Sequence, residues 1–328
     1  MAVEPFQRIK PTKNNTIIHI VHSSGSTGLP RAVLANQQSI FKNVINQPFH
    51  KALGAPGVRA GLMAALPFHA SGLWIQSMAS MYQGYIQVLF APRAEPVIPT
   101  PDITLQALLD TECKTAMVWP TFLEAWAEDD NAIAKIRKIE TILFGGGPLA
   151  ERVGDRLVAH GVNIQNSYGG TEFGTASHPC PPGYDPHDWV YFKLADTQNA
   201  QFIPQHDEQG SHEIIFVTGP HNEPFILNAE VDGCPAYSTK DLVVQHPTKP
   251  CLWKLVGRAD DQITLSNSEK INPGPIGNTI LKSPLIQFAA MFGREKSQTG
   301  VLIDLTPEAR EIYMNDGRAR VVDLIWQV

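Results

Sequence analysis

The stretch Thr16-Ile17-Ile18-His19-Ile20-Val21-His22-Ser23-Ser24-Gly25-Ser26-Thr27-Gly28-Leu29-Pro30-Arg31 decides how the chain is read. Its first seven residues are β-branched and mostly apolar, the pattern of a short buried strand. The strand ends at once in a loop holding three serines, a threonine and two glycines between positions 23 and 28. Hydroxyls rotate to meet phosphate oxygens, and glycines let backbone N–H groups approach closely. Arg31 adds a planar cation able to neutralise part of a polyphosphate. The loop is not a Walker A sequence, since GxxxxGK[ST] is not matched. A Ser/Gly-rich turn after a strand also serves as a plain solvated loop.

Outward from this stretch, strand and helix patterns alternate. Residues 35–50 read as a helix, 61–66 (GLMAAL) as a strand closed by Pro67-Phe68-His69, 72–83 as a helix and 85–90 as a strand. A proline-rich loop (91–101) is followed by helix 102–110, strand 115–119, helix 121–138 and strand 139–144, which runs into Gly145-Gly146-Gly147-Pro148. An amphipathic helix over 149–160 ends at Gly161, a plausible C-cap. This alternation over 16–165 predicts α/β layering on a largely parallel sheet. From about residue 190, short alternating segments at 213–218, 242–245, 251–256 and 262–265 predict antiparallel β structure.

The length of 328 residues fits roughly two domains. A hydrophobic share of 43% with 18% charged residues excludes intrinsic disorder. The net charge of −6 argues against nucleic-acid or anionic-membrane binding driven by bulk charge, so any polyanion must be held by a local site. Cysteines 113, 180, 234 and 251 have no CxxC spacing and are expected as isolated reduced thiols. The N-terminus lacks the apolar core of a signal peptide. No run approaches the ~18 apolar residues of a membrane span. A cytoplasmic location is the expectation.

Three further places can carry chemistry. In Asn166-Ser167-Tyr168-Gly169-Gly170-Thr171-Glu172, Tyr168 offers a flat face for stacking, Thr171 a donor for a phosphate, and Glu172 a hard oxygen for Mg²⁺. The bland alternative is a Gly-Gly turn beside a surface glutamate. Asp241, at the mouth of the strand Leu242-Val243-Val244, can accept from two vicinal hydroxyls such as a ribose presents; the alternative is a surface residue that starts a strand. Gly257-Arg258-Ala259-Asp260-Asp261 forms a polar turn between two β segments. No GxGxxG follows the first strand, which weighs against a dinucleotide-binding dehydrogenase.

Taken in order, SSGSTGLPRAV (23–33), LPFHASG (66–72), FGGGPL (144–149), NSYGGTEFG (166–174), YSTKDLV (237–243) and GRADDQITLSNSEKINP (257–273) resemble the adenylate-forming superfamily. That superfamily includes acyl-CoA synthetases and the adenylation domains of nonribosomal peptide synthetases. DDQITLS, EKINP and FGREKSQTGVLID are most similar to the adenylation domains of fungal aminoadipate-reductase-like and carboxylic-acid-reductase-like enzymes. The resemblance implies a layered adenylate-forming core over residues 1–256 with a β-rich segment. A hinge and the start of a small α+β C-terminal domain would follow over 257–328. It also implies that ATP, with Mg²⁺, activates a small carboxylic acid to an acyl-adenylate, which passes to a thiol on CoA or a phosphopantetheine arm, on a carrier domain for instance. By motif position, Ser23, Ser24, Ser26, Thr27 and Arg31 would hold the β- and γ-phosphates. His69 would stand at the carboxylate pocket, and Gly146, Gly147 and Tyr168 would border adenine. Thr171 would touch the α-phosphate and Glu172 would bind Mg²⁺. Asp241 would hold the ribose hydroxyls with Arg258 in support, and Asp260 would be the hinge. Phe68, Trp74, Trp119, Phe144 and Phe173 point to an apolar or aromatic acid, with core packing as the alternative for each.

The sequence also departs from the family. The phosphate loop opens at residue 23, where a subdomain normally precedes it, so exposed apolar surface is expected there. Only 68 residues follow Asp260, and neither Lys282 nor Lys296 matches the family's late lysine. Arg31 stands for lysine, and Ala32, Lys240 and Ser268 stand for glycines. A positive φ at any of these three would cost about 1 kcal/mol. Two readings follow: an adenylating enzyme, or a catalytically impaired fragment or pseudoenzyme that binds nucleotide or needs a complementing polypeptide.

Overall fold

A hairpin comes first: β1 (Ile17–Ser23) pairs antiparallel with β2 (Arg31–Asn36) as a sheet of two strands. The computed structural model describes residues 13, 15–23, 31–45, 56–179, 181, 183–205, 207, 209–264, 270–294 and 296–325. β1 is not the buried strand its composition predicts. With a single paired neighbour among the described residues it buries only Ser23, and Ile20 stays 69% exposed. The hairpin also exposes Ile17, Ile18 and Leu34, and beside it Phe41, Met81 and Tyr82 are open. The predicted helix over 35–50 starts later. Ala35 and Asn36 remain in β2, Asn36 caps Gln37–Ile40 by accepting from the Ser39 N–H (2.8 Å), and Phe41–Ile45 continues as a π-helical turn.

The alternating region folds as five parallel strands with helices on both faces. β3 (Arg59–Gly61), β4 (Ile86–Val88), β5 (Thr115–Val118), β6 (Thr141–Gly145) and β7 (Ile164–Ser167) lie in the order β4-β3-β5-β6-β7. The apolar run 61–66 is not a strand: pairing ends at Gly61, and Leu62 to Ala65 turn back while staying buried. The predicted helix over 121–138 is two, Pro120–Ala127 and Asp130–Ile136. It breaks where Asp129 caps the second by accepting from the Asn131 N–H. β5 and β6 are buried at every residue, as central parallel strands require. Ile142, Phe144 and Val118 pack against Leu123, Trp126 and Leu157 on one face; Met117 and Leu143 pack against Ile40, Leu62 and Trp74 on the other.

A short ribbon of β8 (Gly169–Gly170) and β9 (Gly174–Thr175) leads into the antiparallel region. There β10 (Phe192–Lys193), β11 (Ala200–Pro204), β12 (His212–Val217), β13 (Ala229–Val231), β14 (Cys234–Gln245) and β15 (Leu252–Arg258) form one sheet. Its order is β10-β15-β14-β12-β11, with β13 also on β14. The C-terminal segment is α+β. β16 (Ile263–Thr264) pairs with β17 (Lys270–Ile271), a helix spans Pro273–Ile280, and β18 (Ile286–Phe292) pairs with β19 (Gly300–Leu305). The closing helix Pro307–Ile325 is interrupted at Gly317 (φ 81°). Cys113, Cys234 and Cys251 are free thiols, and Cys180 lies outside the described residues. Among the described residues no helix is long and apolar enough to cross a membrane.

The helix Glu151–Ala159 docks through a glycine. A Cβ on Gly154 would lie 2.1 Å from the buried Trp189 ring, whose indole N–H donates to Asp155 (3.0 Å). Alanine ordinarily stabilises a helix interior by about 1 kcal/mol over glycine. Here the steric clash decides the sign. Gly154→Ala is expected to destabilise by about 1–3 kcal/mol, read as a lower urea midpoint at unchanged slope.

Candidate active site

A cleft of about 430 Å³ opens where the carboxyl ends of β6 and β7 meet the antiparallel sheet. Open α/β sheets hold ligands at the carboxyl ends of their strands. Its glycine wall follows from packing. Gly146 sits at φ 81°, and a Cβ there would lie 2.8 Å from the Trp119 ring. Gly145 is equally confined, since its Cβ would lie 2.6 Å from the Ser167 carbonyl oxygen. A Cβ on Gly147 would make only an ordinary contact, 3.9 Å from Pro120 Cγ, and Gly147 lines the cleft with Gly146.

Asp241 is brought to the cleft by two irregularities in the sheet. On β12, Ile215 pairs with Ser238 and Glu213 with Leu242, so two steps along β12 match four along β14. Thr239, Lys240 and Asp241 therefore leave the ladder. On the other side Leu242 pairs with Gly257 and Val243 with Leu255, which leaves Val256 as an extra residue in β15. Bulges re-aim side chains, and this pair sets Asp241 opposite Arg258. Thr239 Oγ1 donates to the Ile214 carbonyl (2.8 Å) and accepts from the Asp241 N–H (3.0 Å), which pins the bulge. Lys240, where the family has glycine, adopts φ 64°, so it carries the expected cost of about 1 kcal/mol. Ala32 instead lies inside β2, and Ser268 lies outside the described residues.

The Asp241 carboxylate is held from two sides. Tyr168 Oη donates to Oδ2 (2.6 Å) and Arg258 Nη1 to Oδ1 (3.1 Å). Burial pushes the carboxyl above its ordinary range, against the downward pull of Tyr168 and Arg258. Burial and the adjacent carboxylate push the Tyr168 phenol well above its own. Asp260 does not line the cleft. It accepts from Arg258 Nε and Nη2, both at 2.9 Å, a fork that fixes the guanidinium and holds the Asp260 carboxyl below its usual range. The Tyr168 ring is mostly taken up by the protein itself: Phe192 stacks on it (4.5 Å between ring centres), and it is 7% exposed at the cleft wall.

Across the cleft, Thr171 and Glu172 occupy the turn between β8 and β9. The Glu172 carbonyl accepts from the Phe225 N–H (2.8 Å), which anchors the turn. Burial raises the Tyr237 phenol and the Asp241 carboxyl, and the Glu172 carboxylate adds to both shifts. Among the described residues no three acidic, cysteine or histidine side chains cluster as a metal cage. One carboxylate suits Mg²⁺, which keeps waters and phosphate oxygens as its other ligands. His69 lines the cleft with Nδ1 2.9 Å from Ser71 Oγ and its ring edge-on to Trp119. Ser23, buried at the end of β1, also lines it. Arg31 faces solvent at the start of β2 and is not in the lining; Ser24, Ser26 and Thr27 lie outside the described residues.

Of the aromatic residues set aside for an acid pocket, Phe144 and Phe173 reach the cleft. Trp74 is buried core against Phe225, Trp119 backs Gly146, and Phe68 is 78% exposed. Three residues had no sequence signal. Glu151 and Lys254 form an ion pair in the cleft lining, and Asn278 reaches the cleft from the helix Pro273–Ile280. Lys282 adds a 4.0 Å contact to Glu151, so this corner also ties the C-terminal segment to the rest.

Residues 2–209 match the AMP-binding enzyme family and residues 260–328 the AMP-binding enzyme C-terminal domain; the chain belongs to this family. It is 33% identical over 308 residues to an adenylate-forming reductase of Heterobasidion annosum, covering 94% of this chain and 28% of that protein. It is 31% identical over 324 residues to the carboxylic acid reductase of Neurospora crassa, covering 94% of this chain and 29% of that one. The chain thus spans less than a third of the length of these relatives. In fold it is similar to the O-succinylbenzoate CoA synthetase of Bacillus subtilis in complex with AMP (TM-score 0.70, 20% identity, 90% of this chain and 60% of that one). ATP-bound MatB from Rhodopseudomonas palustris superposes with a TM-score of 0.73 at 17% identity, over 93% of this chain and 60% of that one.

The raised Asp241 carboxyl has a consequence for stability. Its folded value lies above the unfolded one, so its contribution is full below the ordinary value of 3.8 and is lost as pH rises through the folded value. Asp241→Asn is therefore expected to gain stability relative to wild type as pH is raised from 3.8 into the neutral range. Urea unfolding across pH reads this, and a pH-independent difference would remove the assigned shift.

Proposed function

We propose that the chain is an adenylation unit. It binds ATP with Mg²⁺ and a small carboxylic acid, forms an acyl-adenylate with release of pyrophosphate, and hands the acyl group to a thiol of CoA or of a phosphopantetheine arm. One observation carries the reading. A buried, doubly held carboxylate suited to a pair of ribose hydroxyls shares one cleft with a glycine wall and a threonine–glutamate turn.

In the first step a carboxylate oxygen attacks the α-phosphorus, and the bond from that phosphorus to the bridging oxygen of the β-phosphate breaks. Both reactants are anions, so screening and positioning are the protein's contribution. Asp241 accepts from the ribose hydroxyls, Gly146 and Gly147 make room for the base, and Thr171 donates to the α-phosphate. The cleft's described lining holds three carboxylates, Glu151, Glu172 and Asp241, against two cations, Lys254 and Arg258, both already paired. A triphosphate therefore needs its own counter-ion, and Mg²⁺ supplies that charge neutralisation when bound. Glu172 is the residue to hold it, and His69 is placed beside the incoming carboxylate. In the second step the thiol sulfur attacks the acyl carbon and AMP leaves. Residues 257–328 act as the small domain that turns near Asp260 between the steps, and a carrier domain is the natural source of the thiol.

ATP–pyrophosphate exchange over a panel of acids tests this. Exchange with at least one acid is expected, the apolar and aromatic ones first. ATP binding without exchange for any acid would replace it with a nucleotide-binding reading. Glu172→Gln is expected to lower the Mg²⁺-dependent part of ATP affinity about tenfold or more. Unchanged affinity in a titration with and without Mg²⁺ would take the metal role from this residue.

A further inference from the structure

The bulge that presents Asp241 depends on a buried carboxylate that the chemistry above does not use. Glu213 lies on β12, is 8% exposed and does not line the cleft. Its Oε1 accepts from Ser238 Oγ, from the Lys240 N–H (3.3 Å) and from Lys240 Nζ (3.5 Å). These contacts reach the last residue in register before the bulge and the residue at its apex. A lysine backbone in the left-handed region is unfavourable by itself. Here its N–H points at a desolvated carboxylate, and a charge-assisted bond of that kind is stronger than a neutral one. A buried carboxylate left without such donors would itself be costly, so the bulge and Glu213 stabilise each other.

We infer that Glu213 is a positioning residue. By holding Ser238 and the Lys240 backbone it fixes the three-residue excursion of β14, and so the aim of the Asp241 carboxylate at the two ribose hydroxyls. The inference rests on reading Asp241 as the ribose acceptor. It adds a residue whose effect on nucleotide binding passes wholly through that aspartate, without contact with the ligand.

Competition binding of ATP and 2′-deoxyATP tests it. The wild type is expected to prefer ATP about tenfold or more, since a hydroxyl bonded to a charged group is lost in the deoxy form. Glu213→Ala is expected to lower ATP affinity, to lower affinity for 2′-deoxyATP less because that ligand keeps only the 3′-hydroxyl, and so to shrink the preference to within about twofold. Glu213→Gln keeps an acceptor for the Lys240 N–H and should retain most of the preference. If Glu213→Ala does not fold, Glu213→Asp, which withdraws the carboxylate by one methylene, should show the same loss. A folded Glu213→Ala or Glu213→Asp with the full preference overturns the inference and leaves the ribose reading standing. No preference in wild type and Asp241→Ala alike overturns the ribose reading, and the inference with it.

Discussion

A carboxylate taken out of water must find partners or give up its charge. Asp241 is 13% exposed at the side chain, and it has a phenol on one oxygen and a guanidinium on the other. The rest of the site is arranged around that constraint. Tyr168 can reach it because Phe192 and Phe173 hold the tyrosine ring in a buried aromatic cluster. Arg258 can reach it because the Asp260 fork fixes the guanidinium through Nε and Nη2 and leaves Nη1 for Asp241. Removing one partner would strand the others, so the three function as a unit.

Charge is otherwise sparse in the cleft, and most of it is paired. Lys254 is spoken for by Glu151, and Glu172 is left as the carboxylate facing open volume. On the proposed reading the site does little covalent work. Its value lies in dipoles and donors already in place before charge develops.

The sequence made some of this legible and concealed the rest for identifiable reasons. The α/β alternation came through because parallel strands such as β6 are apolar at every position, and their helices show one apolar face. Boundaries slipped where side chains capture the backbone: Asn36 and Asp129 cap helices that periodicity alone starts too early or runs together. The strand content of 16–22 was legible, but its burial was not, because composition cannot tell whether a second layer covers a hairpin. Motif order nominated Asp241, Arg258, Thr171 and Glu172, and these four line one cleft. It could not reveal Glu213, whose role depends on a bulge set by registers on two neighbouring strands. Nor could it show that the Tyr168 ring packs under Phe192 while its hydroxyl donates to Asp241. Residue chemistry was sufficient to nominate the donors, whereas the geometry that couples them is a property of the paired strands.

Asn278 belongs to the helix that opens the C-terminal segment, yet it faces the same volume as Gly147 and Tyr168, while Lys282 touches Glu151 nearby. Whatever fills that volume meets atoms from both parts of the chain. Occupancy and the placement of that helix are then linked quantities. A molecule that favours one placement is bound more tightly in it by the same free energy with which it biases the helix.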